Sequence, residues 1–127
     1  MSFDWAEYLS IAQSLCGEVV SGPLAGAEAN QRAGVSRAYY AAFVLARNRL
    51  RDVDGASVPM SGYAHQFVAQ QYSTDADPRR RQIGIDLGRL RQDRNKCDYD
   101  DTVPGLPTLV RRSLARATQI VIDLGRL

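Results

Sequence analysis

The chain has one histidine, two cysteines, no long apolar run and little net charge, and each shortage narrows what it can be. Cys16 and Cys97 lack metal-ligand spacing, which predicts reduced thiols in a cytoplasmic protein. No apolar run approaches the roughly 20 residues that span a bilayer, so no membrane partner is expected. The opening MSFDWAEYL carries acids where a secretory leader carries bases, which argues against a signal peptide. Internal repeats, low-complexity tracts and strand-like alternation are also missing. The net charge of +2 is too small to make the whole surface a nucleic-acid magnet. A length of 127 residues fits one domain over 1–127. Such a domain buries about two-thirds of its unfolded surface and needs no metal or disulfide to fold.

Every strong period that is present is helical. Asp4 with Glu7 resembles a capping box and predicts a first helix over 4–20, ended by Ser21-Gly22-Pro23 and a small-residue linker through Gly26. A second helix is expected over 27–51, with the core stripe Val35, Ala38, Tyr39, Ala42, Phe43, Ala46 and Leu50. Ser61 is the expected cap of a short third helix over 62–72. Pro78 suits the first position of a fourth, in which Gly84 and Gly88 cost roughly 1 kcal/mol each but allow close backbone approach. After Pro104, which should stop that helix, and Pro107, a fifth is expected over 108–125, with Arg111, Arg112 and Arg116 on its polar face. The predicted fold is all-α, a single-domain up-and-down bundle of about five helices.

The fourth helix contains the conflict that points to a site. Ile83, Leu87, Leu90 and Cys97 share one face at spacings of three, four and seven, and Arg94 sits in the middle of that stripe. A charge among hydrophobes is costly unless paired or functional. Pairing with Asp98 at i,i+4 is the structural alternative, but arginine before aspartate is the weaker order against the helix dipole. A planar, permanently charged guanidinium suits phosphate binding or stabilisation of charge on a pentavalent phosphate. Positive charge is concentrated nearby: residues 78–97 hold seven arginines or lysines against Asp86 and Asp93. Within them, Arg79–Arg81 stand at a helix start, where cations oppose the dipole, so a solvated start or an anionic partner is expected there.

Two segments together resemble a known family. Ser36-Arg37-Ala38-Tyr39-Tyr40-Ala41-Ala42-Phe43 and, further on, Leu90-Arg91-Gln92-Asp93-Arg94-Asn95-Lys96-Cys97-Asp98-Tyr99-Asp100 are similar to motifs of the HEPN domain (higher eukaryotes and prokaryotes nucleotide-binding), especially its small stand-alone bacterial members. His65 falls where such members often carry a histidine early in the third helix. The resemblance implies a HEPN-like bundle that forms a homodimer and binds RNA or a nucleotide without a metal or cofactor. It also implies a toxin-like or regulatory half of a toxin–antitoxin or defence module beside a nucleotidyltransferase-type antitoxin. Many members are metal-independent endoribonucleases whose signature is an arginine followed four to six residues later by a histidine. Here Arg94 and the polar Asn95 match, but Tyr99 stands five residues after Arg94 and no histidine follows.

The expected binding groove therefore comprises Arg91, Arg94, Asn95, Asp98 and Tyr99, with Arg94, Tyr99 and His65 as catalytic candidates. A phenol with a pKa of about 10 is a poor base at neutral pH, so Tyr99 does not replace a histidine. Packing at the helix end, orientation of a phosphate or base, and acceptance of a nucleotidyl group are its open roles. His65 is either a packed, hydrogen-bonded residue or the missing base. Asp98, Asp100 and Asp101 read as solvated turn residues rather than a metal site. The expected ribonuclease activity is weak or absent. A catalytically inert dimerisation or partner-docking module is the alternative.

Overall fold

The computed structural model describes residues 2–17 and 27–127. Among them run five helices and no strand: α1 (Glu7–Gly17), α2 (Ala27–Asp52), α3 (Ala64–Ser73), α4 (Pro78–Tyr99) and α5 (Leu106–Gly125). The expected end of α1 at Val20 and the linker after it lie outside the described residues. This is the all-α bundle that the periodicity predicts.

The long helix α2 is the centre of the bundle, packing against α1, α3, α4 and α5. All seven residues of its predicted stripe are buried, and so are Gly34, Ser36, Ala41 and Val44. Alanine dominates that surface because its neighbours come close. A Cβ on Gly34 would collide with Cys16 Sγ and lie 3.2 Å from the Ala12 carbonyl oxygen. At the α3–α4 crossing a Cβ on Gly84 would collide with the Ser73 backbone and sit 2.7 Å from the Ala69 carbonyl oxygen. Gly88, expected to serve the same purpose, has open space at its Cβ. Val35, Cys97, Val103, Leu106, Leu109 and Val110 form a second, smaller apolar cluster, joined to the main one by Leu114.

Several helix ends differ from expectation for identifiable reasons. Asp4 accepts the Ala6 N–H at 3.0 Å and closes a turn, so α1 proper starts at Glu7. Ser61 Oγ takes the Tyr63 N–H at 3.2 Å within a turn, and α3 begins at Ala64. Pro107 is accommodated in the first turn of α5, where its missing N–H costs nothing, so that helix starts at Leu106. Gly105, at φ +66°, makes the left-handed entry. The fourth helix ends at Tyr99, before Pro104 can act. There Arg32 of α2 donates to the carbonyls of Cys97 (3.0 Å), Asp100 (2.6 Å) and Asp101 (3.2 Å). One guanidinium thus satisfies acceptors at and just beyond the helix end and places positive charge at its negative pole.

At the other end of α4, Arg79 and Arg81 are exposed, as a solvated helix start would have them, and all three arginines also meet local acceptors. Asp77 caps the helix by accepting the Arg79 N–H at 2.9 Å, and its carboxylate pairs with the Arg79 side chain at 3.0 Å. Arg80 bridges Asp54 (2.6 Å) and Asp75 (3.0 Å) while lying over the Tyr72 ring. Arg81 donates to the carbonyls of Asp75 and Ala76. Local acids and carbonyls thus answer part of this charge within the chain. No helix among the described residues is long and apolar enough to cross a membrane.

Candidate functional site

The arginine in the apolar stripe of α4 points into a cleft of about 790 Å³. Its floor is one face of α2, where Arg37, Tyr40, Val44, Arg47 and Arg51 recur at spacings of three and four. Trp5 and Tyr8 form one wall. Val58–Ser61 and the start of α3 form another, and Arg94 and Asp98 of α4 close the side. The stripe lies beside the buried stripe of the same helix, so α2 supplies both the core and the cleft.

Arg94 is held from several directions, with 14% of its side chain exposed. Its Nε lies 2.7 Å from Asp98 Oδ2 as an ion pair, although the Nε–H is not aimed at that oxygen. One terminal nitrogen donates to Tyr40 Oη and the other to Asn95 Oδ1, each at 3.0 Å. The guanidinium also lies 5.2 Å from the Tyr40 ring centre and 5.6 Å from that of Tyr99. Ser36 Oγ donates to Asp98 at 3.3 Å. The i,i+4 pair anticipated from the sequence therefore exists, but half-buried and inside a network.

His65 reaches the same cleft from α3. Its ring stacks on Phe43 at 4.3 Å, and its Nδ1 is 2.6 Å from Tyr39 Oη. Burial, reinforced by Arg91 and Arg94, pushes the imidazole below its usual range. Burial also pushes the Tyr39 phenol well above its ordinary range, against the opposing pull of the same two arginines.

The expected groove residues do not all meet. Arg94, Asp98 and His65 line this cleft. Arg91 and Asn95 line a separate shallow groove between α3 and α4, and Asn95 touches the site only by accepting from Arg94. Tyr99 is 71% exposed on the outer surface, with the Arg94 guanidinium near its ring. Cys97 is buried, and burial lifts its thiol to about 11, which leaves it a packing residue. Among the described residues, no group of three or more His, Cys, Asp or Glu could hold a metal ion.

Sequence reasoning missed the arginines of α2. Arg47 donates only to its neighbour Asn48, while Arg37 rests 5.1 Å from the Tyr8 ring centre and 5.3 Å from that of Tyr40. Neither has an acidic partner among the described residues, whereas Arg51 is paired with Asp52. The signal was present as a second period of three and four on α2, running parallel to the apolar one. Also missed was Asp93, which adjoins Arg94 in sequence but faces α5. Its carboxylate accepts from Arg112 (2.9 Å), Ser113 Oγ (3.0 Å) and Arg116 (3.4 Å). Compared with known proteins, the chain matches no family model, no curated protein and no solved structure.

Proposed function

We propose that this protein is a HEPN-like homodimer that binds RNA or a nucleotide in the α2–α3–α4 cleft, with weak or absent metal-independent ribonuclease activity. It would act as the toxin-like or regulatory half of a two-gene module with a nucleotidyltransferase-type partner. The observation that carries the reading is convergence on one cleft. Arg94 arrives from α4, His65 from α3, and Arg37 and Arg47 from α2, beside the aromatic wall of Trp5 and Tyr8. Guanidiniums answer phosphate charge, and aromatic faces stack on bases with little regard to sequence. Tyr99 lies outside the cleft and supplies no base there, in keeping with weak or absent cleavage.

Titration of fluorescent single-stranded RNA at two salt concentrations tests this reading. Wild type should bind more weakly at high salt. Arg47→Ala and Arg94→Ala should each weaken low-salt binding and reduce the salt slope by about 0.7 for every phosphate no longer neutralised. No binding at low salt, or binding indifferent to both changes, refutes it. Cleavage in EDTA, wild type beside Arg94→Ala, reads the nuclease question separately.

A second reading is favoured by one observation: Arg94 already pairs with Asp98 and donates to Tyr40 and Asn95 within the chain. On that reading the network braces a catalytically inert dimerisation or docking module. Loss of more than about 2 kcal/mol of stability in Arg94→Ala, with RNA binding unchanged, would select it.

A further inference from the structure

We propose that Tyr39 is a positioning residue that fixes His65 as a neutral Nε2–H donor facing the cleft, there to meet a phosphate oxygen rather than to act as a base. The tautomer follows from accounting for one buried proton. The Tyr39 side chain is almost wholly enclosed, at 1% exposure, so its hydroxyl hydrogen must find an acceptor within the protein. Among the described residues the partner it meets is His65 Nδ1, 2.6 Å away. The polar groups facing the pair from α4 are the guanidiniums of Arg91 and Arg94, which can only donate. Tyr40 Oη, beside them on α2, already accepts from Arg94. Nδ1 must therefore accept, and in a neutral imidazole the proton then belongs to Nε2.

The opposite tautomer would place an N–H against the Tyr39 oxygen and leave the phenolic hydrogen buried without an acceptor. A phenol held above its ordinary range keeps that hydrogen, and an imidazole held below its own range stays uncharged. Nε2 makes no hydrogen bond within the described chain and is not among its enclosed orphan atoms, while His65 lines the cleft. A neutral N–H beside Arg94 complements an oxygen that carries or gains negative charge. It cannot take a proton from an attacking hydroxyl, because its one basic nitrogen is occupied by Tyr39. The ligand half of this inference rests on the anion-binding reading of the cleft, whereas the tautomer does not.

His65 is the chain's one histidine, so its ring nitrogens can be followed by nitrogen-15 NMR without assignment ambiguity. The free protein should show Nε2–H as the dominant neutral form. In Tyr39→Phe the excess of Nε2–H over Nδ1–H should fall about tenfold, the bias of one hydrogen bond. The His65 pKa should also rise as the donor to its neutral form is removed. Inorganic phosphate should shift the Nε2 resonance of wild type saturably. A dominant Nδ1–H form in wild type, a measurement that needs no variant, overturns the proposal. So does a tautomer ratio unchanged in a folded Tyr39→Phe. The expected tautomer with no phosphate response leaves the role of Tyr39 standing and instead refutes the anion-binding reading of the cleft.

Discussion

Asp93→Ala should destabilise the bundle while sparing the cleft, although its neighbour in sequence is Arg94. The carboxylate side chain is 5% exposed and accepts from three groups of α5. Ser113, wholly buried, suffers most from its removal, because its hydroxyl is left without an acceptor at a cost of about 1–3 kcal/mol. Arg112 and Arg116 are 45% and 25% exposed and recover water, so the end of their pairing adds no more than about 1 kcal/mol. The sum is about 1–4 kcal/mol, overlapping the range for removing one partner of a buried pair. For a chain of this length that lowers Tm by roughly 10 °C. Thermal and urea unfolding measure it. Removing the hydroxyl as well, in Asp93→Ala with Ser113→Ala, should make the pair less damaging than the sum of the singles by about 1–2 kcal/mol. A single-variant loss below about 1 kcal/mol, or strict additivity, refutes the reasoning. RNA affinity reduced as much as in Arg94→Ala would refute the separation of Asp93 from the cleft.

Further outcomes test other interactions. Arg32→Ala should cost about 1–2 kcal/mol by freeing carbonyls at the end of α4, and faster hydrogen exchange at the Asp100 amide should accompany it. Gly84→Ala should destabilise by about 1–3 kcal/mol through collision with the α3 backbone, whereas Gly88→Ala should stabilise by up to about 1 kcal/mol, both read by urea unfolding. His65 gives a pH signature. Its folded pKa is depressed, so between that value and 6.5 the unfolded chain binds more protons. Its contribution to stability is therefore full above pH 6.5 and lost as pH falls through the folded pKa. Unfolding of wild type and His65→Gln between pH 7.5 and 5 should show the steeper decline in wild type, and equal slopes would contradict the depressed pKa.

The helices were legible because burial imposes a period. The stripe from Val35 to Leu50 and that from Ile83 to Cys97 are each fixed by chemistry within one helix. The anomaly at Arg94 was legible for the same reason, as a break in such a stripe. What could not be read were contacts that depend on which helix lies against which. Asp93 turns to α5, Arg32 reaches the end of α4 across 65 or more positions of chain, and Arg80 finds Asp54. The grouping of Arg94 with Tyr99 followed the family resemblance, and the two side chains do meet, with the guanidinium 5.6 Å from the Tyr99 ring centre. Yet Tyr99 does not line the cleft, where the tyrosine that accepts from Arg94 is Tyr40 of α2. Arg37 and Arg47 were visible but went unread, since a charged stripe on a helix ordinarily marks a solvated face.

The double use of α2 restricts how this chain can change length. Its apolar and arginine stripes are adjacent faces of one rod, each residue turning it by about 100°. Insertion of one residue near Ala41 would swing everything beyond it by that angle. Arg47 and Arg51 would turn from the cleft, and Ala46 and Leu50 from the core, in a single step. Seven added residues, two nearly whole turns, would be needed to bring both faces back to within about 20°, and those would carry the start of α3 about 10 Å away from Arg94. The helix therefore tolerates substitution far better than insertion, and its length is a ruler for the distance between His65 and Arg94.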